Sequence, residues 1–327
     1  MLNIPFDIKN KNNIEIFLQE NKISNHILES IPQDASNRNY YRMSNSLLLM
    51  ESKAPENKNY EFIKVANYLR QIGLSAPEII KTDHKKGLYL IEDFGNLTFN
   101  KAIKENISEE LLYTNAIKCL SHIQSLSPNL ELPKYDKKYL LQELNLFVKW
   151  YFKEINIKLS DESIKIWEKL WIELFKELKN DKLVLRDFHA DNLFWLPERT
   201  NIKKIGIIDF QDALIGDAAY DISSLLEDVR RNVSKKTKKI VIQKFIQLNE
   251  IKNENKFIKK YNILTAQRNA KIVGIFIRLA RRDQKTRYLK LVNKAMGIFL
   301  ESAKKKGLED IINWIEMYIP KNKIYIG

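Results

Sequence analysis

From about residue 100 to the C-terminus the sequence carries apolar residues at helical spacing almost throughout, and β-forming sequence breaks that pattern once, over residues 183–209. The periodicity predicts helices over 107–126, 136–155, 162–180, 234–249, 254–282, 285–305 and 308–318. The interruption opens with "VLRDFHADNLFWL" (184–196), which packs two aspartates, a histidine, an arginine and an asparagine ahead of an apolar stretch. "NLFWL" (192–196) reads as a strand, "PERTN" (197–201) has turn composition, and "KKIGIIDFQD" (203–212) contains a returning strand. A hairpin sets its two open ends side by side, so this fold-back is expected to bring Asn192 and Asp209 together.

The first hundred residues read differently. Residues 12–29 have the spacing of an amphipathic helix, and "YYRMSNSLLLMES" (40–52) reads as two strands around a Ser-Asn turn. Residues 56–73 place Phe62, Val65, Ala66 and Leu69 at helical spacing and end on Gly73, a suitable C-cap. An extended "APEIIKTD", a turn at "HKKG" and a strand over 88–94 follow. The expected fold is α+β and bilobal, with a small β-containing N-lobe over residues 1–95 and a large, mainly helical C-lobe over 96–327. The crevice between two such lobes is a natural ligand site.

Asp187, Asn192 and Asp209 carry the chemistry. The order D-x-x-x-x-N, hairpin, second Asp matches the protein-kinase logic of a catalytic base followed by two metal ligands. Asn192 and Asp209 offer hard oxygens suited to Mg²⁺, which would neutralise the dense negative charge of a nucleotide's terminal phosphates. Asp187 can orient the attacking hydroxyl and accept its proton. Each residue alone is more often a turn, an Asx-turn or an exposed strand end; the set with its spacing favours phosphoryl transfer. His189 could suggest a hydrolase, but no G-x-S-x-G elbow occurs.

Composition narrows the remaining classes. The 327 residues are 44% hydrophobic and 29% charged, ordinary for a soluble globular chain, and no apolar run is long enough to span a bilayer. Cys119 is the single cysteine and there are four histidines, which excludes an intrachain disulfide and a Cys/His zinc site. The N-terminal sequence lacks a secretory pattern, so the chain is expected to be cytoplasmic, and it is expected to be a monomer. The net charge of +14 is spread along lysine-bearing helix faces such as 234–245 and 251–260, so neither a nucleic-acid nor a membrane partner is expected.

"LVLRDFHADNLFWL" with "IGIIDFQDALIGDAAYDISSLLEDVRR" resembles the aminoglycoside phosphotransferase superfamily, whose members share the protein-kinase-like fold. "DASNRNYYRM" (34–43), "LIEDFGNLTF" (90–99), "IDFQDALIGDAAYDISSLL" (208–226) and "QRNAKIVGIFIRLARRD" (267–283) resemble the bacterial anomeric sugar kinases of that superfamily. Those enzymes phosphorylate the C1 hydroxyl of N-acetylmuramate and N-acetylglucosamine in cell-wall recycling. The resemblance implies an ATP- and Mg²⁺-dependent kinase of a small sugar, with Asp187 as base and Asn192 and Asp209 as metal ligands. It puts the phosphate-covering loop at 34–43 and the adenine-binding hinge at Glu92, Asp93 and Phe94; because that loop has no glycine, Ser36 with Arg38 or Arg42 would have to supply the donors. His189, Asp191, Gln211 and Asp212 are the acceptor-side candidates, and Asp221 is an N-cap or a brace for the catalytic loop.

Three features depart from the family pattern. Leu185 stands where a histidine often begins the catalytic loop, and the 34–43 loop has no glycine. No strand lysine of the V-A-I-K kind is present either: Lys53 falls two residues past the expected strand end, which leaves Glu61 without its usual partner. Competing readings are a kinase of another small alcohol (an aminoglycoside, choline or homoserine) or an inactive kinase-like binding module. A protein kinase is disfavoured because no A-P-E-like segment follows Asp209.

Overall fold

The structure, a computed structural model, describes residues 8–23, 29–31, 38–43, 46–53 and 56–326. The chain divides into two compact units: Met1–Cys119 with Ala190–Ala213, and Leu120–His189 with Leu214–Gly327.

In the first unit, helix α1 (Ile8–Glu20) precedes the strands β1 (Glu29–Ile31), β2 (Arg38–Met43) and β3 (Leu47–Ser52). Helix α2 (Glu56–Gln71), β4 (Ile79–Asp83), β5 (Leu88–Glu92) and the short helix α3 (Phe99–Lys104) follow. The strands form one antiparallel sheet in the order β1-β2-β3-β5-β4. Strand alternation gives its faces separate tasks. Tyr41, Met43, Leu49, Leu88 and Leu90 point one way and bury against Ile14, Phe17 and Leu18 of α1. Each such apolar side chain contributes on the order of 1.5–3 kcal/mol when fully buried. Arg38, Tyr40 and Arg42 point the other way, beside Leu48 and Ile91, and line a cavity.

The N-terminal elements differ from the sequence expectation. The helix expected over 12–29 stops at Glu20, and a strand begins at Glu29. Lys22 adopts a left-handed φ of 59°, and Ile23 N–H reaches back to the Leu18 carbonyl at 2.9 Å, a capping turn that ends the helix. By contrast α2 stops where Gly73 was expected to stop it, at φ 86°.

The strands Leu193–Trp195 and Ile205–Ile207 pair antiparallel as the expected hairpin. Ser75 stitches it to the sheet-bearing unit: the Ile207 amide donates to the Ser75 carbonyl (2.8 Å) and the Ser75 hydroxyl donates to the Lys203 carbonyl (2.7 Å). Arg199 adds a bond to the Ser75 hydroxyl (2.7 Å) and an ion pair to Glu92. The hairpin therefore groups with the first unit.

Helix α4 (Glu109–Ser125) leads to the helices of the second unit. These are α5 (Lys137–Glu154), α6 (Asp161–Phe175), α7 (Ala219–Leu226), α8 (Lys235–Leu248), α9 (Glu254–Arg281), α10 (Leu289–Ala303) and α11 (Glu309–Tyr318). Trp167, Trp171, Phe147, Phe299 and Trp314 form its aromatic core, with Trp167 and Trp314 ring centroids 4.5 Å apart. Helix α9 runs against α5 so closely that a Cβ on Gly274 would meet the Leu146 carbonyl at 2.3 Å. A small antiparallel pair, Lys182–Val184 with Leu214–Gly216, leads into the 184–189 loop. Among the described residues no helix is long and apolar enough to cross a membrane.

Candidate active site

The cavity on the second face of the sheet holds about 390 Å³ and is built entirely within the first unit. The segment Glu92–Asp93–Phe94 lines it as the chain leaves β5. Arg42, four residues along β2 from Arg38, clamps this segment. Its guanidinium forks onto both carboxylate oxygens of Asp93 and donates to the Gly95 carbonyl (2.9 Å) and to the Asn96 side chain. Phe94 is fixed from below: a Cβ on Gly206 would lie 2.7 Å from its ring, and Arg199 stacks over it at 5.2 Å. Within the described residues no hydrogen bond uses the Phe94 amide or carbonyl, which leaves both for an adenine-like edge.

From Gly206 the hairpin strand runs on to Asp209, whose φ of 61° is left-handed. Asn192 Nδ2 donates to Asp209 Oδ2 at 3.2 Å, and both residues line the cavity. The fold-back thus brings this amide and carboxylate together. Among the described residues no cluster of three or more His, Cys, Asp or Glu side chains could hold a metal by itself. A cation at Asn192 and Asp209 would therefore complete its shell with phosphate and water oxygens, the preference of Mg²⁺, so the donor set fits that ion.

The 184–189 loop belongs to the second unit and is held by its backbone. Asp221, wholly buried in the first turn of α7, accepts the Leu185 amide (2.7 Å) and the Arg186 amide (2.8 Å). Burial pushes its carboxyl up to about 7, while the two amide donors pull it down. Of the two roles expected for Asp221, the structure shows the brace. Arg186 sits at a left-handed φ of 71°, a costly conformation for a side chain of this size. Glu143 pairs with its guanidinium and also with Lys271 Nζ (3.2 Å), which in turn donates to Tyr220 (2.9 Å). Tyr135 and Tyr139 lie under the guanidinium at 5.7 Å. Burial raises the Asp187 carboxyl, but the charges of His189, Arg186, Lys271 and Arg268 outweigh it and hold the group below the ordinary range. Asp187 is therefore ionised at neutral pH. Burial lowers His189, against the opposing charges of Asp228 and Asp187.

The remaining sequence candidates have protein partners. Asp191 accepts from Asn100, Gln211 donates to Asp209 Oδ1 (2.7 Å), and Asp212 pairs with Lys58 (2.8 Å). Glu92, besides lining the cavity, bridges Arg199 and Arg70. Ser36 lies outside the described residues. Lys53 is exposed just past the end of β3, and Glu61 pairs with Lys58 on its own helix (3.0 Å). In "RLARR", Arg281 pairs with Glu154 and Arg282 with Asp283, both at the surface. Sequence reasoning missed Tyr40 and Phe62 in the cavity wall, and Glu143 and Lys271 beneath the loop. The alternation of β2 could have indicated Tyr40, but nothing local marks Glu143 or Lys271.

Residues 27–245 match the phosphotransferase enzyme family. The chain is 31% identical over 271 residues to an N-acetylmuramate/N-acetylglucosamine kinase of Caulobacter vibrioides, covering 79% of this chain and 74% of that one. It is 30% identical over 278 residues to a Pseudomonas aeruginosa protein of the same name, covering 80% of each. Among solved structures, a choline/ethanolamine kinase family protein from Mesorhizobium loti has a TM-score of 0.66 at 11% identity, covering 94% of this chain and 99% of that one. The GDP complex of an aminoglycoside 2′-phosphotransferase has a TM-score of 0.64 at 15% identity, covering 88% and 98%. The fold, a small antiparallel sheet followed by a large helical part, is that of the aminoglycoside phosphotransferases.

Proposed function

The chain belongs to the phosphotransferase enzyme family, and from that premise we propose that it moves the γ-phosphoryl group of ATP to the anomeric hydroxyl of N-acetylmuramate or N-acetylglucosamine, with Mg²⁺ as its metal. The observation that carries the chemistry is the Asn192–Asp209 pair on the wall of a nucleotide-sized cavity whose wall also includes the 92–96 segment. Four relatives of 27–31% identity named for this sugar-kinase activity support the acceptor. A net charge of +14 suits a neutral or carboxylate-bearing sugar better than a polycationic aminoglycoside.

In this reading Asp187, ionised at neutral pH, orients the acceptor hydroxyl and takes its proton as the new O–P bond forms and the bond to the β-phosphate oxygen breaks. Asn192 and Asp209 hold the metal, which supplies charge neutralisation at the phosphates. The Phe94 backbone and the apolar cavity walls receive the base, with Glu92 and Asp93 fixing that segment through Arg199 and Arg42. The His189 imidazole and the carboxylates of Asp191 and Asp212, with the Gln211 amide, are the acceptor-side groups. A carboxylate has about four lone-pair sites, so Asp191 and Asp212 can keep their partners and still receive sugar hydroxyls.

Purified protein should be offered Mg-ATP with N-acetylmuramate, N-acetylglucosamine, glucosamine and kanamycin, and the products read by ³¹P NMR. A sugar 1-phosphate from the N-acetylated sugars, absent with Asp187→Asn, is the expected result. Phosphate on another position, or on kanamycin alone, would refute the anomeric assignment.

A further inference from the structure

The fold leaves open which cation meets the nucleotide's phosphates, since β3 ends at Ser52 without a lysine and Lys53 is exposed beyond it. Two arginines share the cavity face of β2, and the structure gives them different surroundings. Arg42 is committed: Asp93, Gly95 and Asn96 together take up its Nε, Nη1 and Nη2 donors at the 92–96 end. A strand rises about 3.4 Å per residue, so Arg38 stands roughly 14 Å further along the same face.

Arg38 is 5% exposed and lines the cavity together with Asn192 and Asp209. Its guanidinium stacks on the Phe62 ring at 5.2 Å and donates to the Lys58 carbonyl at 3.3 Å. Phe62 stacks in turn on Phe210, the residue after Asp209, with centroids 5.4 Å apart and planes 6° from parallel. Lys58 closes the same circuit from the other side, pairing with Asp212 at 2.8 Å. Tyr40, whose hydroxyl hydrogen-bonds Arg38, feels the charge of both Arg38 and Asp209. The guanidinium is thus tied by a layered stack to the loop that carries Asp209.

The strand register completes the argument. Arg38 is paired with Ser52 and Tyr40 with Met50, so Arg38 lies beside the β3 positions from which protein kinases extend their phosphate-binding lysine. We propose that Arg38 is the phosphate-binding cation of this enzyme, displaced one strand sideways from the usual lysine, and that Arg42 serves the base end alone. This rests on the nucleotide-dependent reading above. A planar fork held over an aromatic ring suits phosphate oxygens.

The assignment is tested by binding, measured calorimetrically on the full chain without acceptor, using ATP, ADP and adenosine. Arg38→Gln should weaken ATP and ADP by about tenfold or more and leave adenosine unchanged, since it removes charged hydrogen bonds made only to phosphate. Arg38→Lys, which keeps the charge but not the fork, should recover part of that loss. Arg42→Gln should weaken all three ligands to a similar degree. Unchanged ADP affinity in Arg38→Gln overturns the assignment. So does an equal loss of adenosine and ADP in both Arg38 variants, which would make Arg38 a wall residue only. Wild-type protein that binds none of the three overturns the nucleotide reading itself, and the assignment with it.

Discussion

Around the cavity of the first unit Arg42 (24% exposed), Glu92 (21%) and Arg199 (27%) keep part of their surface in water, although Arg38 is only 5% exposed and the Asp93 side chain 6%. Beneath Arg186 in the second unit the corresponding figures are 8% for Lys271 and 12% for Glu143, and Asp221 is wholly buried. Partly solvated pairs contribute about 0–1 kcal/mol each and can exchange a protein partner for a ligand at little cost. Removing one partner of a buried pair costs on the order of 3–5 kcal/mol, so such pairs hold a backbone in one conformation. The first arrangement suits a receptacle, the second a mount. Each set has an unusual backbone conformation near it: Arg186, at φ 71°, pairs with Glu143, and Asp209, at φ 61°, lines the cavity of the first unit.

Substitutions can break or sharpen this contrast. The largest effect is expected from Asp187→Asn, which should lower turnover by about 10³-fold, the scale of a lost proton acceptor, while nucleotide titrations stay near wild type. Turnover within tenfold of wild type would remove Asp187 from the reaction. Glu143→Gln comes next, because it leaves Lys271 and Arg186 facing a neutral amide. Urea unfolding at pH 7 should show a loss of about 3 kcal/mol.

That loss should depend on pH in a defined direction. Burial alone would raise the Glu143 carboxyl, but Lys271 and Arg186 outweigh it and hold the folded-state value below the ordinary one. Its stabilisation is therefore present above the unfolded pKa and disappears as pH falls through the lower, folded one. The gap between wild type and Glu143→Gln should close on that acid limb; a constant gap would assign the cost to shape rather than charge.

Gly206→Ala probes the receptacle instead. The added Cβ meets the Phe94 ring at 2.7 Å, so a cost of about 1–2 kcal/mol is expected, with weaker nucleotide binding. Equal nucleotide affinity would show that Phe94 does not touch the base. The smallest effect belongs to Arg281→Ala, at an ion pair whose arginine is 52% exposed. Thermal unfolding should register no more than about 0.5 kcal/mol. A loss as large as that of Glu143→Gln would erase the distinction between exposed and buried pairs.

The parts of the molecule legible in the sequence are those encoded by spacing over a few residues. The hairpin that joins Asn192 to Asp209 follows from two apolar runs and a turn, and the end of α2 follows from Gly73. Helix α7 shows no clear amphipathic period because all eight of its residues are buried, the polar Asp221, Ser223 and Ser224 among them. The strand Glu29–Ile31 and the pair Lys182–Val184 with Leu214–Gly216 are three residues each, too short for alternation to register. The apolar spacing of α1 continues past Lys22, where the backbone turns left-handed and the helix ends. The two aspartates show the limit for the site. Asp187 is recognisable beside Asn192, whereas the brace from Asp221 spans 35 and 36 residues and is visible only in three dimensions.

The pairing of Arg38 with Ser52 has an evolutionary meaning as well. Written along the chain, those positions are fourteen residues apart; across an antiparallel pair their Cα atoms are about 5 Å apart. A side chain can therefore migrate from one strand to its neighbour between lineages while the tip of the new one still reaches the same point. An alignment column records such a migration only as the loss of the lysine. Kinase-like chains sorted into living and dead by a missing strand lysine are at risk of being misfiled, and the strand register shows where to look for the replacement.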